Sequence, residues 1–273
     1  MGFLYVLRAE FVKSKGFYKR YVMDTFGFVA SQILLFIGLF YTIFQNSTWN
    51  SHVFFQLLIG VFIWYMGISA VAQFSFILQE EREIGTLEQI YLTRTSLIKM
   101  LIGRAVSTFV FELISGIALI VIIFYILSII TSVPLDAFFQ LHISLTALLF
   151  LLLLTMLGIY GFSFLLAGLA LIFKRIGAFT ITFHYLFLFF TGITLSDSKL
   201  PSFFGFISKF LPITWGCLNL KNMIMKSMNF QQIINSSAFS WLLVNTGIYI
   251  IIGLSFFLVA EKKARKNGTI GSY

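Results

Sequence analysis

The chain alternates long apolar runs with short clusters that hold nearly all of its charge. A spanning helix needs about 20 mostly apolar residues to cross about 30 Å of hydrocarbon, and six runs meet that length. They are residues 25–44, 54–78, 105–133, 145–173, 176–195 and 239–260. The first two carry no charge and are joined by the short stretch Gln45 to Val53, which makes them an antiparallel hairpin. The third is interrupted only by Glu112. The fourth, part of Leu141 to Phe173, exceeds a perpendicular span and must tilt or protrude. Ahead of the first, residues 1–24 place Phe3, Leu4, Leu7 and Phe11 at helical spacing among Arg8, Lys15, Lys19 and Arg20. This pattern predicts an amphipathic helix on the inner membrane surface, placed to pass motion into the first span.

Composition narrows the class. Of 273 residues 59% are hydrophobic and only 11% charged, with a mean hydropathy of +0.96, whereas soluble domains carry about 25% charged residues. A water-soluble globule is excluded, and no room is left for a separate catalytic domain. The net charge of +9 raises the question of a nucleic-acid partner. The basic residues sit at the ends of apolar runs, so they read instead as orientation signals and contacts to anionic lipid. Fifteen of the nineteen fall in four segments: before the first span, between the second and third, after the fourth, and in the tail. The other four are Lys199, Lys209, Lys221 and Lys226, in the last loop of the other side. Positive-inside bias places both termini in the cytoplasm.

Residues 1–24 lack an apolar core followed by a small-residue cleavage site, so the first span is expected to serve as the insertion signal. No internal repeat is visible, which argues against an inverted-repeat secondary transporter. Three histidines and one cysteine give no metal-ligand spacing. No Gly-x-x-x-x-Gly-Lys-Ser/Thr loop is present, so the chain is not expected to hydrolyse ATP.

Between the second and third spans, residues 79–92 hold Glu80, Glu81, Glu83 and Glu88, four of the ten acidic residues. Their charges exclude hydrocarbon. Ile84, Leu87 and Tyr91 recur at helical spacing, which predicts one short cytoplasmic helix with an apolar stripe suited to a protein groove. The string Glu83-Ile84-Gly85-Thr86-Leu87-Glu88-Gln89-Ile90 resembles the coupling-helix signature of type-2 ABC transporter permeases, the membrane subunits of ATP-driven exporters. The likeness extends over the chain, from the N-terminal helix to the closing Glu261-Lys262-Lys263-Ala264-Arg265-Lys266-Asn267-Gly268. One departure is Arg94, where many relatives have proline.

The resemblance implies an all-α integral membrane protein with six transmembrane helices, an N-terminal amphipathic interfacial helix, a cytoplasmic coupling helix and re-entrant outer helices before the last span. On that reading residues 25–273 form the permease domain. Glu80, Glu83, Gly85, Thr86, Leu87, Glu88 and Tyr91 would dock on a separate ATPase subunit, which would hold the ATP and Mg. No cofactor binds this chain, and a second permease copy or a related permease would pair through the first and fifth spans. The setting it implies is a bacterial cell membrane.

Two further features bear on the pathway. The segment 196–237 is apolar enough to enter the bilayer but is broken by Pro201, Gly205 and Pro212, which predicts short re-entrant pieces. In the resembled family such pieces form an outer lid, here carried by Phe203, Phe204, Pro212 and Trp215. Glu112 and His184 are polar residues inside predicted spans, and each is expected to face protein or water. The cargo expected from the resemblance is an amphipathic drug, antimicrobial peptide or lipid, with a lipid-linked polysaccharide or teichoic-acid-like polymer as the alternative. Tyr160, Tyr185 or Trp215 would stack on sugars in the polymer case. A rival of another class is an ion-driven carrier or channel using Glu112 and His184.

Overall fold

The computed structural model describes residues 2–44, 51–93, 95–131, 144–173, 175–191, 202–226 and 228–268. Arg94, the last residues of the third and fifth predicted spans, and residues 196–201 of the outer segment lie outside them. The described residues form eleven helices and no strand. They are α1 (Phe3–Arg20), α2 (Val22–Phe44), α3 (Ser51–Glu83), α4 (Thr86–Leu92), α5 (Leu97–Thr131), α6 (Leu145–Ile172), α7 (Gly177–Phe190), α8 (Ser202–Ser208), α9 (Pro212–Met225), α10 (Phe230–Ile234) and α11 (Ser237–Lys266). The protein is an all-α integral membrane protein. Five helices, α2, α3, α5, α6 and α11, are long and apolar enough to cross a bilayer, and α7 is a shorter apolar helix over its described length.

α3 is the central post, buried along nearly the whole of its apolar stretch. It packs against α5, α6, α7 and α9, while α11 lies on α6. Phe36 meets Trp64 edge-on and Phe28 lies beside Tyr65, which seats α2 against α3. The outward faces of α2, α5 and α11 expose large apolar side chains, as a helix in contact with lipid should.

α6 and α11 approach closely because glycines face each other. A Cβ at Gly161 would lie 2.7 Å from the Ile250 nitrogen, and one at Gly253 would overlap the Gly161 carbonyl oxygen. Between membrane helices, where no water is released on contact, such close approach supplies the dispersion energy that holds a pair together. Gly158 and Gly168 extend the contact along α6 toward Thr246 and Phe257.

The helices run past the predicted span limits. α5 begins at Leu97 and has 35 residues, or about 52 Å, some 20 Å more than the hydrocarbon requires. α1 lies along the first half of α5, from Gly103 to Glu112. Val6 and Leu7 lie against Gly103, Glu10 pairs with Arg104, Ser14 with Ser107, and Tyr18 with Glu112. Contacts that advance together along both helices mean that α1 and α5 run side by side in one direction. The inward face of α1 accounts for this pairing: Glu10 and Ser14 are buried and meet Arg104 and Ser107 of α5, while Leu4 and Val12 are exposed.

Candidate functional site

The predicted single helix 79–92 is two pieces. α3 continues to Glu83, and Gly85 then adopts φ +76°, the left-handed conformation that ends a helix and that a side chain disfavours. The Gly85 N–H donates to the Arg82 carbonyl at 3.0 Å and closes the turn. α4 leaves in a new direction. Thr86 caps the break by donating to the Glu81 backbone carbonyl at 3.1 Å and to the Glu81 carboxylate.

The break divides the predicted apolar stripe. Leu87 is 0% exposed and belongs to the core of this chain, while Ile84 is 66% and Leu92 83% exposed. Glu80, Glu83 and Glu88 are exposed around them. Leu87 is thus an anchor for α4, and the uncovered surface consists of Glu83, Ile84, Glu88, Gln89 and Leu92.

α4 and the end of α3 are tied to three other helices. Glu81 forms an ion pair with Lys13 of α1. Arg82 donates to the last carbonyls of α6, Ala170 at 3.0 Å and Leu171 at 3.1 Å, where the helix dipole favours a cation. The Tyr91 hydroxyl donates to Glu261 of α11 at 3.3 Å, Arg265 bonds the same carboxylate oxygen at 2.5 Å, and the guanidinium lies 4.5 Å from the centre of the Tyr91 ring. Burial first, and the Glu261 carboxylate second, push the Tyr91 phenol up to about 12. The end of α3 is thus linked to α1 and α6, and α4 to α11, by separate polar contacts. These contacts also gather the four basic segments at one end of the bundle, called here the basic end.

Glu112 sits where α1 gives way to α2. Ser69 donates to its Oε1 at 2.6 Å and Tyr18 to the same atom at 2.9 Å, with Ser115 at 3.4 Å from Oε2. Burial, then the neighbouring Glu112 carboxylate, hold the Tyr18 phenol well above the usual range of a phenol. Hydroxyls from α1, α3 and α5 thus converge on one carboxylate, which locks three helices together at the level where the first span begins. His184 is elsewhere: its carbonyl accepts from Trp64 at 2.9 Å, and its Nε2 is buried without a partner.

At the opposite end α8 and α9 form a short helical pair with Pro212 at the first turn of α9, where a missing N–H costs nothing. Phe203 and Phe204 are exposed, with Phe204 packed on Phe189 of α7. Trp215 donates to the Lys209 carbonyl at 2.8 Å and stacks on Trp241 of α11, ring centres 5.9 Å apart. Gly216 presses on Thr155 of α6, so α9 sits deep against the bundle.

Sequence reasoning missed the polar links because their partners are remote in the chain. Glu10, one of two acids with Asp24 in an otherwise basic leader, and the Glu261–Arg265 pair one helical turn apart were the available signals.

A central buried helix, close-packed glycines and ion pairs at one end define a polytopic membrane protein whose basic end is tied to its spans by polar contacts. The sequence model of the ABC-2 type transporter family matches residues 3–225, and the chain belongs to that family. It is the membrane permease component of an ABC transporter, and the family implies an ABC ATPase partner. No curated protein matches the chain.

Proposed function

We propose that this permease forms the export pathway for an amphipathic substrate, with a separate ATPase subunit docking at the basic end and driving it through α4. The observation that carries the reading is the division of the α3–α4 turn into two faces. One face, with Leu87 and Tyr91, is fixed into the bundle. The other presents Glu83, Ile84, Glu88 and Leu92 uncovered. Apolar side chains ringed by carboxylates suit a groove with an apolar floor and basic rim, and the inward links give a stroke on that face a route into α1, α6 and α11.

On this reading the basic end is cytoplasmic, both termini lie there, and two permease chains pair through the exposed faces of α2 and α7. ATP and Mg belong to the ATPase, and this chain carries no catalytic group. The ion-driven rival gains no support from Glu112, whose Oε1 accepts from Ser69 and Tyr18 of two neighbouring helices and serves to hold them. Of the aromatic residues that would stack on a polymer, Tyr160 is committed to the Ala105 carbonyl at 3.0 Å.

The test is copurification of the ATPase with single variants. Ile84→Asp and Leu92→Asp should lose the ATPase while the permease still inserts and elutes as a monodisperse species. Leu87→Asp should instead reduce the yield of folded permease. Retention of the ATPase and of transport by the Ile84→Asp, Leu92→Asp double variant would refute the docking surface.

A further inference from the structure

The end of the bundle away from the basic segments contains a cavity of about 330 Å³ between α3, α7, α8 and α9. Ile59, Phe190 and Leu218 give it an apolar lining, Gln56, Thr191 and Ser208 a polar one, and Lys209 and Lys221 line it as well. Two of the four lysines on this side therefore converge on one opening, and no carboxylate is among its described lining residues. The Lys209 side chain is exposed at the turn between α8 and α9. The Thr214 hydroxyl, also in the lining, is buried and has no hydrogen-bond partner. A hydroxyl in that position can donate to an acceptor placed in the cavity.

The stacked Trp215 and Trp241 flank the same turn. Tryptophan gathers at the level of lipid head groups, where an apolar ring and a polar N–H are both accommodated. The cavity thus combines a cation and a hydroxyl donor with apolar side chains, beside a tryptophan pair of the kind found at head-group level. A cationic peptide or drug would be repelled by Lys209, and a small anion would leave Ile59, Phe190 and Leu218 uncovered.

We infer that this cavity binds the phosphate head group of an anionic phospholipid-class amphiphile, with Lys209 as the cation, Thr214 as the donor, and the tail against Ile59, Phe190 and Leu218. The inference rests on the proposed function in one respect: with the basic end cytoplasmic, the lipid comes from the outer leaflet.

The experiment uses the full chain in nanodiscs of equal parts phosphatidylglycerol and phosphatidylcholine, extracted gently, with the retained lipid quantified by mass spectrometry. The wild type should retain phosphatidylglycerol in excess of phosphatidylcholine. Lys209→Gln should lower that preference about fivefold, the factor for one lysine at a membrane surface, and Lys209→Arg should keep it. Lys226→Gln removes a charge from the same side of the protein but outside the cavity, and should leave the preference unchanged. Equal retention of both lipids by the wild type would overturn the inference. So would an equal loss in Lys226→Gln, which would mean a diffuse surface field, or full displacement by inorganic phosphate, which would mean a site for the free anion. No ATPase is needed, so failure of the docking surface and failure of this site are read separately.

Discussion

The close approach of α6 and α11 makes one substitution do opposite things at two places on one helix. Gly247 and Gly253 both lie in α11, six residues apart. A Cβ at Gly247 meets nothing within 4 Å, whereas one at Gly253 would overlap the Gly161 carbonyl oxygen and stand 3.0 Å from its carbon and 3.2 Å from the Phe164 Cβ. Both close neighbours at Gly161 are backbone atoms and cannot swing aside. Restoring ordinary contact requires the helices to part by about 0.5–1 Å, which forfeits a quarter to a half of the dispersion well for each atom pair affected. Overpacking of this kind costs about 1–3 kcal/mol, and the immobility of backbone puts Gly253→Ala at the upper end. Gly247→Ala removes only the helix-interior penalty of glycine, a gain of about 0.5–1 kcal/mol. At about 2–4 °C per kcal/mol, the melting temperature of the detergent-solubilised permease, read by fluorescence-detected size exclusion, should fall by about 6–12 °C for Gly253→Ala. It should rise by about 1–4 °C for Gly247→Ala. Shifts of the same sign and similar size in both variants would refute the argument that this contact holds α6 to α11.

The links at the basic end make further predictions. Arg104→Ala strands the buried Glu10 carboxylate, whose partner nitrogen is at 2.5 Å, and should cost about 3–5 kcal/mol; removing Glu10 as well should recover part of the loss, measured as folded yield. Glu112→Gln keeps an acceptor for Ser69 and Tyr18 and should leave both fold and ATP-driven transport close to wild type. Glu112→Ala leaves both hydroxyls unpaired and should lower the melting temperature; loss of transport in Glu112→Gln with an intact fold would revive the ion-driven reading. The Tyr91 phenol, raised from 10.0 to about 12, favours the folded state while it is neutral. Its contribution is therefore complete below pH 10 and lost as pH rises through 12, so stability between pH 7 and 9 should be the same in the wild type and in Tyr91→Phe apart from a constant offset.

The spans were legible in the sequence for a simple reason. Hydrocarbon accepts only apolar residues and satisfied backbone, so length and apolarity suffice to find α2, α3, α5, α6 and α11. The acidic cluster at Glu80, Glu83 and Glu88 was legible because charge cannot enter the bilayer, and the turn at Gly85 had its own signal in a glycine within a helical pattern. The pairing of α1 with α5 was not legible. The apolar periodicity of α1 marks a face for lipid, and the polar face that fixes the pairing depends on Arg104, Ser107 and Glu112, more than 90 residues away in the chain. Leu87 was misread for a related reason: periodicity reports that a face is apolar, not whether this chain or a partner covers it.

Sequence alone therefore determined which segments lie in the membrane, which share a side, and where a partner would find charge outside the bilayer. These follow from a solvent that sorts residues one by one. Only the tertiary structure decided that Leu87 points inward and Leu92 outward, that Glu112 locks three helices, and that Lys209 and Thr214 share a cavity. Each of these is a contact between segments remote in the chain, set by how helices pack, and no local pattern encodes it.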